Sequence, residues 1–351
     1  MIAKGTVPEQ VYAAWADLCR PELEQADSIC SNVPDISLAE EKVKTLAASP
    51  ISRRASDIGH GRVDEAQAPV HIALSADEGY ASYLCVAIDS VMRNSASPIQ
   101  FHVLTRGFKK ETADKIGEHF RSERCEIDFL PCDDIDYGEV GGKYPRITVS
   151  TMDRLLLPEL LSTTRRVVYL DTDILVLGDV AELFRTEMNG RPIAARGSIA
   201  PGASSGFAHL NRVTGRLSPD MATEFRRRVS LRGDLAFPAF NAGVLVLDLD
   251  QLREKQFCRE FLPFVFRYGI NDQELLNFFA CGNWSPIPSS WNSWPTQNWS
   301  RRQSWCISSE ATSLGKVTSC LSAISGMSIE VVWKACCKRS EVRIAVLQSK
   351  E

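Results

Sequence analysis

From Val70 onward, short apolar runs rich in strand formers alternate with helical stretches, and that alternation restricts the fold more than any other feature of the chain. VHIALSA (70–76) leads into a polar turn at Asp77, Glu78 and Gly79 and then an amphipathic stretch over 80–92. FHVLTR (101–106), a helix over 109–120 and CEIDFLP (125–131) repeat the pattern. A helix over 152–161 precedes RVVYLDTDILVLGD, FNAGVLVLDL (240–249) is a further buried strand, and 272–279 a further helix. Strands joined by helical crossovers lie parallel, with the helices packed on both faces. The expected class is therefore α/β with a mostly parallel central sheet. Ligands of such open sheets bind outside the carboxyl ends of the strands, which directs attention to Asp77, Asp171 and the residues just after them. Neither GxGxxG nor GxxxxGK[ST] occurs, which argues against a dinucleotide enzyme or a P-loop NTPase.

Composition narrows the class. With 351 residues, 44% hydrophobic and 24% charged, the chain has the makeup of an ordinary globular protein with one large core and extensions. A net charge of -4 supplies no basic field of the kind nucleic acid requires, so no nucleic-acid partner is expected. The 11 cysteines are odd in number and lack metal-knuckle or redox spacing, and they read as reduced thiols in a cytosol. The first residues lack a basic stretch followed by an apolar one, and no apolar run is long enough to span a bilayer. Neither secretion nor a membrane span is expected. Residues 1–69 read as a helical extension and linker, 70–299 as the main domain, and 300–351 as a tail of different texture.

Asp171 and Asp173 flank Thr172 immediately after the apolar run 167–170. That spacing in a turn lets both carboxylates address one hard cation, Mn2+ or Mg2+, while leaving positions for diphosphate oxygens. Equally, an Asp-x-Asp after a strand can be a turn or a helix cap, as Asp179 is expected to be ahead of its helix. Asp77 and Tyr80 end another strand at the same edge, offering a carboxylate to a base or ribose and a ring for stacking. Arg154 is either a surface residue or a guanidinium placed to meet phosphate or sugar oxygens. Asn241 and Ala242 open a strand with a small turn suited to a sugar, and Asp272 and Gln273 begin a helix, where they either cap it or point into the site.

SADEGYASYLCVAIDSV, STMDRLLLPELL, VVYLDTDILVLGDVAELF, FNAGVLVLDL, NDQELLN and WNSWPTQNW, in this order and spacing, resemble glycosyltransferase family 8 over about 230 residues. The resemblance implies a GT-A fold, a UDP-hexose donor, Mn2+ and retention of anomeric configuration. It places uridine on Asp77 and Tyr80, the metal on Asp171 and Asp173, and the donor on Arg154, Asp171, Thr172, Asn241, Ala242 and Asp272. Gln273 would lie beneath the anomeric carbon, where a retaining hydrolase presents a carboxylate. An amide is a poor nucleophile, so a front-face displacement through a short-lived oxocarbenium pair is implied. The implied acceptor is a saccharide or glycolipid, of lipopolysaccharide or another cell-surface glycan, met on the cytoplasmic side with peripheral membrane contact.

The chain departs from that family in one place. The family closes its site with a late His-x-x-Gly-x-x-Lys-Pro-Trp segment, whose His binds the metal and whose Lys binds the diphosphate. No histidine follows His209 in this chain, and 300–351 lack Pro, Asp, Asn, Phe and Tyr while holding four Cys. The abrupt change predicts a substituted or frameshifted terminus, and the loss of both groups predicts low turnover. A non-catalytic nucleotide-sugar-binding module or gene remnant is the alternative. A haloacid-dehalogenase-type phosphatase also uses Asp-x-Asp but wants Thr or Val where Leu175 stands, and a nucleotidyltransferase wants a basic Gly-rich loop where SADEGYAS is acidic. His71 and His102 read as hydrogen-bonded strand residues, and His209 as a loop residue that could face the acceptor, within an acceptor loop over 196–218. Arg226, Arg227 and Arg228 read as a solvated helix face or, alternatively, a site of attraction to anionic lipid.

Overall fold

The computed structural model describes residues 68–292 other than 138, 139, 141–148, 201 and 232, together with the backbone of 343–345. The expected extension over 1–69, the tail over 300–351 and most of WNSWPTQNW therefore lie outside the described residues.

Strands β1 (Val70–Asp77), β2 (Ile99–Arg106), β3 (Cys125–Pro131) and β4 (Arg166–Leu170) form the parallel half of a seven-stranded sheet. Its order is β3-β2-β1-β4-β7-β6-β8, with β6 at Ile193–Gly197, β7 at Phe240–Asp248 and β8 at Ser285–Pro286. A short β5 (Ile174–Val176) pairs apart from it with Arg343–Ala345, β9. Helices α1 (Ala81–Asn94) and α2 (Lys110–Phe120) are the crossovers between β1, β2 and β3. Alternation along each strand divides the core in two: Val168 and Leu170 pack with α1 and α2 on one face, Val167 and Tyr169 with the later helices on the other. Those later helices are α5 (Gly206–Thr214), α6 (Pro219–Ser230), α7 (Leu249–Glu254), α8 (Phe257–Tyr268) and α9 (Asp272–Ala280). Two short helices, α3 (Leu157–Leu160) and α4 (Val180–Phe184), flank β4 and β5, and Asp179 caps the second through Ala181 N–H.

Strand β7 runs antiparallel to both β4 and β6, and this reversal positions the site. Leu170 at the end of β4 lies opposite Val244 near the start of β7, so Asn241 and Ala242 stand at the same sheet edge as Asp171. The Asp171 N–H donates to the Gly243 carbonyl at 2.9 Å and extends the pairing into the turn.

Three expectations need correction. The helix over 152–161 is a 3₁₀ turn (Val149–Leu156) followed by α3. Pro158 has no N–H to close an α-helical bond on the carbonyl of Arg154, and the tighter winding takes over. The loop over 196–218 contains α5, started by Ser205, whose hydroxyl accepts from Ala208 N–H. His209 consequently sits inside that helix, at 0% exposure, and cannot face an acceptor.

Candidate active site

Arg154 organises the C-terminal edge of the sheet. Its side chain is 3% exposed, and its Nη2 donates to Asp171 Oδ1 at 2.8 Å. Nη1 donates to the Ala242 carbonyl at 2.6 Å, and Nε donates to the Thr151 carbonyl at 2.8 Å while lying 3.0 Å from Asp272 Oδ2. The guanidinium also lies over the Tyr169 ring, 4.1 Å from its centroid. Burial disfavours this charge, but Asp272, Tyr169 and Asp171 outweigh it and hold the group above its usual range. Asp272 moves the same way for a different reason: burial raises its carboxyl against the pull of Arg154, and Asp171 adds to the rise. Thus 3₁₀ turn, β4, β7 and α9 meet through one fork of donors, the geometry for which arginine is suited and lysine is not.

Asp272 does not cap α9. Asn271 does, in a capping box: Asn271 Oδ1 accepts from Glu274 N–H at 2.8 Å and Glu274 Oε2 accepts from Asn271 N–H at 3.2 Å. Asp272, one residue later, is thereby free of the cap and turned to Arg154. Gln273 Oε1 accepts from the Ala242 N–H at 3.2 Å, so both backbone groups of Ala242 are held, one by α9 and one by Arg154. Asn241 Oδ1 accepts from Gly243 N–H at 2.9 Å and from Asn292 Nδ2 at 2.7 Å. Asn292 is in turn fixed by Arg196, whose Nη1 donates to its carbonyl.

The remaining expected site residues stand around this cluster. Asp171 and Asp173 are half-buried on either side of a buried Thr172, in the turn between β4 and β5. They are hard oxygen donors, and a Mg2+-like ion that keeps waters and phosphate oxygens needs only one or two protein carboxylates. Among the described residues, no group of three or more His, Cys, Asp or Glu could hold a metal ion, so a cation on this pair would take the rest of its shell from water or ligand oxygens. Asp77 ends β1, the strand beside β4, and its Oδ1 accepts from Tyr80 N–H at 3.1 Å, capping a short 3₁₀ turn. Tyr80, half-buried, packs on Tyr83 with ring centroids 5.3 Å apart. Gly79 keeps this turn tight, since a Cβ there would come within 3.2 Å of Asp77 Oδ1.

Comparison with known proteins supplies the class. The model of glycosyl transferase family 8 matches residues 71–313, more than half of the chain and on into the segment with the altered composition. The chain belongs to glycosyltransferase family 8. Among family relatives, a Haemophilus influenzae protein assigned as a glycosyltransferase is 23% identical over 231 residues, 65% of this chain and 64% of its own. General stress protein A of Bacillus subtilis is 22% identical over 233 residues, 64% of this chain and 73% of its own. The chain thus spans just under two thirds of the Haemophilus protein. A solved structure of the galactosyltransferase LgtC, in complex with donor and acceptor sugar analogues, superposes with a TM-score of 0.51 at 24% identity, covering 66% of this chain and 78% of that one. The fold is the GT-A type, a mixed α/β architecture with a mostly parallel central sheet. No described helix is long and apolar enough to cross a membrane.

Several contributors to the site have no counterpart in the sequence expectations. Glu274, Asn277, Asn292, Asp153 and Arg106 all support it. Only Glu274 carried a readable signal, as the third residue after a capping Asn.

Proposed function

We propose that this family 8 glycosyltransferase moves a hexose from a UDP-sugar to a saccharide or glycolipid acceptor with retention of configuration. The observation that carries the reading is Arg154 bridging Asp171 and Asp272 beneath Ala242, at the sheet edge where α/β folds bind ligands. Asp171 and Asp173 are the residues to hold Mn2+ or Mg2+, which when bound neutralises charge on the leaving diphosphate. Arg154 orients the Asp171 and Asp272 carboxylates toward donor hydroxyls, with Asn241 beside them. Asp77 and Tyr80, one strand away, receive the uridine. Gln273 has its carbonyl oxygen on Ala242 N–H and is poorly disposed to attack carbon. That favours a front-face displacement. The bond from the anomeric carbon to diphosphate breaks, the acceptor oxygen bonds the same face, and the acceptor proton passes to the departing diphosphate. By resemblance, the acceptor is lipopolysaccharide or another cell-surface glycan, and the reaction lies at the cytoplasmic face of the membrane. The domain limits follow the same reading: an N-terminal extension, a transferase domain over 70–299 and an atypical tail.

Residues 300–351 carry no His-x-x-Gly-x-x-Lys-Pro-Trp segment, and this favours a second reading, a nucleotide-sugar-binding module without turnover. Calorimetry with UDP and Mn2+, set beside a screen of UDP-glucose, UDP-galactose and their N-acetyl forms, separates the two. Asp173→Ala is the control. Turnover lost in the control supports the enzyme, metal-dependent binding without turnover supports the module, and absence of UDP binding defeats both.

A further inference from the structure

The 3₁₀ turn Val149–Leu156 carries two consecutive buried charges that engage different strands. Arg154 reaches Asp171 and Asp272. Asp153, at 0% exposure, meets instead the last residue of β2: Arg106 Nε donates to Oδ2 at 2.8 Å and Nη2 to Oδ1 at 2.7 Å. The buried Tyr137 hydroxyl donates to Asp153 Oδ1 at 3.1 Å and lies 3.3 Å from the Met152 carbonyl, and the Arg106 guanidinium lies 5.1 Å from the centre of its ring.

A buried carboxylate is unfavourable unless it is both paired and hydrogen-bonded, and this one is met on both oxygens. An apolar pair of similar volume can stabilise a core as well as an ion pair does. What the fork adds is direction, because two parallel bonds fix the guanidinium and carboxylate planes relative to each other. Asp153 and Arg154 share a peptide bond in a tightly wound turn, so fixing the first fixes where the backbone aims the second.

We propose that Asp153, clamped by Arg106 and Tyr137, is a positioning residue that sets the pose of the Arg154 guanidinium and thereby the spacing of Asp171 and Asp272. The proposal rests on the reading of Arg154 as a donor-site residue.

Side-chain Nε–Hε resonances of the ¹⁵N-labelled full chain test it. The Arg154 signal is assigned by its loss in Arg154→Lys, and Arg216, held by both oxygens of the buried Glu274, is the control. In Asp153→Asn, the Arg154 resonance shifts and its proton exchanges about tenfold faster, as expected when a charge-assisted bond no longer restrains the turn. The Arg216 signal stays in place. Arg106→Lys keeps the charge, loses the fork and reproduces the effect, and it is read in the same way if Asp153→Asn does not fold. An unmoved Arg154 signal in either folded variant, or an equal change at Arg216, overturns the proposal. Titration of the native chain with UDP and Mg2+ keeps the two readings apart. Failure of UDP to move Arg154 counts against the donor-site reading, whatever the variants show about the clamp.

Discussion

Asn277 pairs with Phe240 through both ends of its amide: Nδ2 donates to the Phe240 carbonyl at 3.0 Å, and Oδ1 accepts from the Phe240 N–H at 2.9 Å. Past the end of β4, the first residues of β7 are thus met by side chains: Asn277 at Phe240, and Gln273 and Arg154 at Ala242. Helix α9 is docked in register with β7 by these contacts, which also places Asp272 against Arg154.

Asn277→Leu keeps the branching at Cγ in a somewhat larger side chain and leaves two buried backbone groups of Phe240 without those partners. Each such group costs about 1–3 kcal/mol, so a loss of about 3 kcal/mol is expected in urea unfolding. A loss below about 1 kcal/mol would show that the pairing contributes little.

Arg154→Leu leaves Asp171 and Asp272 without their shared cation. Breaking a buried pair from one side costs about 3–5 kcal/mol at neutral pH. The pH dependence has a definite sign. Asp272 is held above the usual carboxylate range by burial, so on acidification the folded chain takes up its proton before the unfolded chain does. The deficit of the variant, read by thermal melting, is therefore expected to shrink as pH falls from neutrality toward the ordinary carboxylate range. A deficit that grows on acidification would contradict this account of the cluster.

His209 is expected to limit acid stability. Burial, with Arg212 and Arg216 adding to it against the pull of Glu274, lowers its pKa to about 4 from 6.5. A depressed imidazole contributes stability that is fully present above 6.5 and lost as pH falls through 4, because only the unfolded chain takes up the proton in between. The share is about 3 kcal/mol. His209→Phe, placed among aromatic rings that already include Phe278, is expected to flatten that limb of the stability curve. The limb retained in full would show that the imidazole is not the group responsible. His102, lowered to about 3 by burial and by His71, acts in the same direction and leaves a residual slope.

The parts of this site legible in the sequence are those that follow from local periodicity. The apolar run before Asp171 and the polar break after it mark a strand end wherever the chain goes next. Strand direction was not legible at FNAGVLVLDL, because a strand buried on both faces reads the same parallel or antiparallel, and its reversal is what brings Asn241 to Asp171. The Arg106–Asp153 pair spans 47 residues and no local rule connects them. Near Asn271 the information was present: an Asn followed three residues later by Glu marks the cap and releases Asp272. Around His209 the surrounding Gly and Ser residues obscured a helix that Ser205 begins.

Asn292 offers the sharpest test of whether Asn241 belongs to the proposed donor site. Its Nδ2 donates to Asn241 Oδ1 and, with the Gly243 N–H, holds the orientation of the Asn241 amide. Its backbone has φ 67, in the left-handed region, so Asn292→Ala would add backbone strain to the loss of the amide and confuse the result. Asn292→Gly accepts that conformation and removes only the side chain. If Asn241 binds the hexose, the variant loses about tenfold in affinity for a UDP-sugar, the size of one well-placed hydrogen bond, while affinity for UDP is unchanged. Calorimetry with both ligands reads the difference. Equal losses for UDP and UDP-sugar would assign Asn292 to the nucleotide pocket or to general folding, and no loss for either would show that the Gly243 N–H holds the Asn241 amide without Asn292.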